Sequence, residues 1–142
     1  MALETVLLAV GPNDANRIDE LASTVVDIAG PADADIALAH VFTDDEYETA
    51  VERLDFEAVA QADPDEVAER HATVKELRDV LEEAGIPTSV RGAVGDHGDE
   101  IVALADMTQA DLTVVGGRKR SPTGKAVFGS TAQKVMLNAP CP

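Results

Sequence analysis

The chain has 142 residues, 27 of them acidic and 11 basic, for a formal net charge of -16. That is enough for one domain to bury a core without cross-links, and the single Cys141 excludes an internal disulfide. Acidic residues spread along the chain, among them Glu4, Asp27, Glu57 and Asp106, describe a hydrated surface suited to strong salt (a halophilic pattern). With Phe42, Tyr47, Phe56 and Phe128 as the aromatics, they argue against any nucleic-acid partner.

No apolar run approaches the roughly 20 residues of a membrane span, and no charged-then-apolar leader follows Met1. The expectation is a cytoplasmic protein with no membrane partner.

Thr5 to Val10 is an apolar run of strand formers, closed by the turn residues Gly11, Pro12 and Asn13. Asn13 or Asp14 is expected to cap a helix whose Ile18, Leu21, Ala22, Val25 and Ile28 share one face, with Gly30-Pro31 as its stop. Ile36 to Phe42 is a second apolar strand. A strand, a helix and another fully apolar strand form a βαβ unit, which implies a parallel sheet covered on both faces.

After Phe42, the spacing of Tyr47, Val51, Leu54 and Ala58 predicts an amphipathic helix. Asp63-Pro64 with Glu66 predicts a capping box opening another, carried by Val67, Val74, Leu77, Leu81 and Ala84 as far as Gly85. Pro87 to Val94 is a weaker strand, placed at a sheet edge because Pro87 starts it and Arg91 and Gly92 lie inside it. Asp96 is expected to cap a helix facing the core through Ile101, Leu104, Ala105 and Thr108. Leu112 to Gly116 is the fourth strand, and Ser130 to Asn138 the last helix. The fold class is α/β: residues 1–142 as one domain, a single doubly wound parallel sheet with helices on both faces. A fifth strand is expected to be absent, since the chain stops at Pro142 where one would follow.

The stretch from Gly116 to Thr131, GGRKRSPTGKAVFGST, gathers Arg118, Lys119, Arg120 and Lys125 beside glycines and just before a helix start at Gly129-Ser130. Cations and exposed backbone N–H groups at a helix start make an anion site, with phosphate as the natural anion. Glycine lets the backbone approach an oxygen closely, and Ser130 can add a hydroxyl donor. The alternative reading is that the glycines serve turn geometry alone. A Walker loop is ruled out, because its spacing needs Gly at position 119 and Ser or Thr at 126, where Lys119 and Ala126 stand.

With VVGGRKRSPTGKAVFGST after the fourth strand and NAPCP at the end, the whole chain resembles the universal stress protein family. Nucleotide-binding members carry Gly, two residues, Gly, nine residues, then Gly followed by Ser or Thr; Gly116, Lys119, Gly129 and Ser130 stand at those positions, with Thr131 next. The resemblance implies a sheet in order 3-2-1-4(-5) and ATP, with or without Mg, across the carboxyl ends of strands 1 and 4. It implies that the Val41 backbone reads the adenine. It also places Gly11 where the family carries an Asp that contacts the nucleoside. The implied role is a stress-response regulator that binds ATP or a related adenine nucleotide; a homodimer through a fifth strand would need a strand that this chain lacks. The alternative is a protein-interaction module that binds no nucleotide.

No nucleophile elbow, Cys-His pair or zinc spacing stands out, so an enzyme is not expected, slow ATP hydrolysis being the remaining catalytic option. His71 reads as a boundary packing residue and His40 as a strand-end residue. His97 with Asp96 and Asp99 offers a weak metal pattern, for which helix capping is the preferred explanation.

Overall fold

A computed structural model describes residues 3–11, 14–53, 63–116 and 130–142. Four strands, β1 (Thr5–Ala9), β2 (Asp35–Phe42), β3 (Thr88–Val94) and β4 (Leu112–Val115), pair in the order β3-β2-β1-β4, all parallel. The expected strand order is therefore found, with Gly92 and Arg91 on the edge strand.

Side chains alternate across the sheet, so β1 feeds two separate cores. Val6, Leu8 and Val10 face one layer with Leu21, Val25 and Ala29 of α1 (Ile18–Ala32) and Leu77 and Leu81 of α4 (Ala72–Glu83). The same layer takes Tyr47 and Val51 from α2 (Asp44–Arg53) and Val67 from the short α3 (Pro64–Glu69). Leu7 and Ala9 face the other, with Ile101 and Leu104 of α5 (His97–Met107) and Val135 of α6 (Ser130–Asn138).

Three local expectations change. Gly30-Pro31 does not end α1: Pro31 sits in the last turn, where a missing N–H removes a single bond, and the stop is Asp33 in the left-handed region at φ 56°. Asp33 N–H reaches the Gly30 carbonyl at 3.1 Å and Ala34 N–H the Ala29 carbonyl at 3.0 Å, closing the helix end. The predicted helix from Asp63 to Gly85 is two, because His71 takes an extended conformation and starts α4. Asp63 accepts from the Asp65 N–H at 3.0 Å while Glu66 pairs with Arg70, so no reciprocal box forms there. The reciprocal box lies instead at the start of α2, where Thr43 N–H donates to Glu46 Oε1 at 2.8 Å and Glu46 N–H to Thr43 Oγ1 at 3.2 Å.

Along the outer edge of β4, Thr113 N–H donates to the Pro142 carbonyl at 2.8 Å and Cys141 Sγ lies 3.2 Å from Thr113 Oγ1. Residues 141–142 thus run beside β4 without forming a strand.

Candidate functional site

The sheet changes winding direction between β1 and β4: β1 leads into α1 on one face, whereas β4 is entered from α5 on the other. Such a reversal opens a crevice at the carboxyl ends of the two strands. Ala9 is paired with both Val115 and Ala39, so continuing the register sets Val10 level with Gly116, and Gly11 level with Val41. Three of the expected site positions therefore gather at one end of the sheet. The Val41 side chain is buried in the α5 and α6 layer. Ser130 and Thr131 open α6, with Ser130 exposed. Arg118, Lys119 and Gly129 lie outside the described residues, as do Arg120 and Lys125.

The crevice holds a charged pair that the sequence did not signal. Asp14, 3 % exposed, opens a single 3-10 turn (Asp14–Arg17) ahead of α1. Its Oδ2 accepts the Gly11 N–H at 2.7 Å, and its Oδ1 accepts Arg17 Nε at 2.8 Å and Nη2 at 2.6 Å. Asp14 therefore does not cap α1 as expected: its carboxylate turns back to the strand end, and Arg17 stands at the helix N-cap with no side-chain cap bond. A Cβ on Gly116 would lie 2.5 Å from Arg17 Nη2 and 2.8 Å from Asp14 Oδ1. Gly116 thus has a structural reason to be glycine in the protein itself: the guanidinium lies over its Cα. The spacing Gly11, Asp14, Arg17 was the available signal, but Arg17 stood alone among basic residues and Asp14 read equally well as a cap.

Helix α6 is fastened to α5 at its buried Gly98, where an added Cβ would lie 2.9 Å from Lys134 Cβ. Lys134 Nζ donates to Asp96 Oδ2 at 3.0 Å and lies 3.3 Å from Asp99 Oδ1. Asp96 also caps α5 by accepting the Asp99 N–H at 3.0 Å, and these two bonds hold its carboxyl below the usual range. Asp96 and Asp99 are thus used in capping and ion pairing, and among the described residues no group of three His, Cys, Asp or Glu side chains could hold a metal ion.

A second cluster flanks the end of β2. His40 Nδ1 donates to the Val10 carbonyl at 2.8 Å, and its ring centroid lies 4.2 Å from that of His71 and 4.6 Å from that of Phe42. Burial, then the neighbouring His71, hold the His40 pKa down to about 4, against the opposing pull of the Val10 carbonyl. Burial lowers His71 as well. His97 Nε2 lies 2.8 Å from Glu46 Oε1. Partial burial pushes the Glu46 carboxyl up, but the Thr43 and His97 hydrogen bonds outweigh it and hold the group below its ordinary value. Tyr47 Oη and His71 Nδ1 are buried without a hydrogen-bond partner among the described residues.

The universal stress protein family model matches residues 3–142. The chain belongs to the universal stress protein family. It is 39 % identical over 77 residues to a universal stress protein of Mycolicibacterium smegmatis, a match spanning 51 % of this chain and 59 % of that relative. The chain thus covers less than two thirds of that relative's length. A universal stress protein solved in complex with cAMP superposes with a TM-score of 0.65 at 23 % identity, covering 99 % of this chain and 94 % of the other. The universal stress protein of Archaeoglobus fulgidus solved in complex with dAMP superposes with a TM-score of 0.62 at 18 % identity, covering 100 % and 96 %. These likenesses establish the fold. Among the described residues, no helix is long and apolar enough to cross a membrane.

Proposed function

We propose that this universal stress protein is a cytoplasmic stress-response regulator that binds an adenine nucleotide at the carboxyl ends of β1 and β4. The observation that carries the reading is the convergence of Gly11, Val41 and Gly116 at the strand-order reversal. The cAMP and dAMP complexes of proteins with this fold support an adenine ligand. In this reading the Val41 backbone meets the base, while Gly116, Arg118, Lys119, Gly129, Ser130 and Thr131 surround the phosphates, with ATP as the expected ligand. If Mg accompanies ATP, it neutralises phosphate charge; the protein supplies N–H and cationic donors.

Calorimetry with ATP, ADP and AMP tests the proposal. Saturable binding is expected, and Gly129→Val is expected to abolish it, because branched methyls take the room of a phosphate oxygen. Lys119→Gly reports whether Lys119 supplies a charge or obstructs. No binding of any of the three nucleotides by the wild type would sink the reading. A second reading, an interaction module without nucleotide, draws on Met136 and Leu137 of α6, which are 59 % and 75 % exposed.

A further inference from the structure

We propose that Arg17 is the residue through which this site selects a phosphorylated ligand, with the buried Asp14 as its positioning residue. The inference rests on the nucleotide reading above and adds a recognition element from the turn ahead of α1, outside the Gly116 to Thr131 stretch.

Position comes first. Arg17 lies over Gly116 at the strand-order reversal, in a place that any larger residue at 116 would fill. Its guanidinium is aimed by the two bonds from Nε and Nη2 to one Asp14 oxygen. The other Asp14 oxygen is held by the Gly11 N–H, so the carboxylate is fixed to the end of β1 and cannot turn away. The Asp14 side chain is 4 % exposed and that of Arg17 27 %, so the acid is the buried anchor and the guanidinium its more exposed partner.

Chemistry follows from this placement. A planar guanidinium oriented in advance donates to phosphate oxygens at little entropic cost, whereas a neutral nucleoside offers it no anion. Because Arg17 is paired with Asp14, its contribution is directed N–H donors rather than net positive charge.

The test compares AMP with adenosine by calorimetry in the full chain and in Arg17→Ala, Arg17→Lys and Asp14→Asn, each with a melting curve to verify folding. Arg17→Ala is expected to weaken AMP binding about 10- to 100-fold, the usual range for a charged hydrogen bond, and to leave adenosine unchanged. Arg17→Lys restores part of the preference. Asp14→Asn lowers the AMP-to-adenosine ratio less than Arg17→Ala does. Equal affinity of the wild type for AMP and adenosine would overturn the inference and leave the nucleotide reading standing. Tighter AMP binding by Arg17→Ala would overturn it too, by showing that the guanidinium plugs the crevice. Binding of neither ligand by the wild type would overturn this inference, and failure of ATP and ADP as well would sink the nucleotide reading.

Discussion

His40 and His71 stack with ring centroids 4.2 Å apart and planes tilted by 31°, the buried His40 on β2 and the half-buried His71 at the start of α4. Two imidazolium rings could not share that space in low dielectric, so the pair is built for the neutral state. Between pH 6.5, the ordinary value, and about 4, the folded value, the unfolded chain takes a proton at His40 that the folded chain refuses. Stability then falls as pH falls, by an amount on the order of 3 kcal/mol from His40 across that window. Glu46, which pulls the His40 value upward, and His97, which lowers it, belong to the same cluster. Melting curves from pH 7.5 to 4.5 are expected to show a steep loss that His40→Gln flattens. Parallel slopes in the two proteins would refute the assignment.

Gly92 on β3 is the seat of α3. A Cβ there would overlap the Pro64 carbonyl oxygen, and Gly92 N–H donates to Asp65 Oδ1 at 2.7 Å. Gly92→Ala must push α3 off the sheet, at an expected cost on the order of 3 kcal/mol for overpacking against backbone. Asp65→Ala keeps the space and loses that bond together with the exposed 3.9 Å ion pair to Arg91, at about 1 to 2 kcal/mol. Urea unfolding of the two variants checks the ranking, and the reverse order would contradict the geometry.

Gly116 and Arg17 are expected to be coupled. Gly116→Ala alone displaces the guanidinium, whose far end is flexible, at about 1 kcal/mol or more. In an Arg17→Ala background the same change no longer meets the guanidinium and keeps only the close approach to Asp14 Oδ1, so it costs less, and a double-mutant cycle of melting free energies should give a coupling of at least about 0.5 kcal/mol. Additivity would mean that the two residues do not touch in solution.

Molar salt is expected to raise the melting temperature, because 27 carboxylates facing 11 cations repel one another at low ionic strength. The screening length shortens from about 30 Å at 0.01 M to about 3 Å at 1 M salt. Unchanged or higher melting at low salt would end the halophilic interpretation.

Much of the architecture was legible because it follows from periodicity. The apolar runs at Val6 to Val10 and Ile36 to Phe42 could only be buried strands, and Gly92 with Arg91 marked β3 as an edge. Helix ends were less legible, since several short polar residues compete to cap them: Thr43 and Glu46 form the reciprocal box, yet Asp63 and Glu66 offered the same pattern. At the candidate site, Gly116 was visible through its spacing to Gly129 and the nearby cations, and Gly11 and Val41 only through the family resemblance. The Asp14 and Arg17 pair was not, because its meaning depends on Gly116, which folding brings to it from the far end of the chain.

The pairing of β1 also sets an order for synthesis. β1 gains β2 early, through Val6 and Ile36, but its other edge waits for Leu112. On the ribosome, about a hundred residues must therefore follow β1 before its second edge can close, and until then the nascent chain carries an apolar strand with an open edge, a ready template for wrong partners. Of the two interior strands, β2 can be paired on both edges once β3 is made, whereas β1 waits for β4.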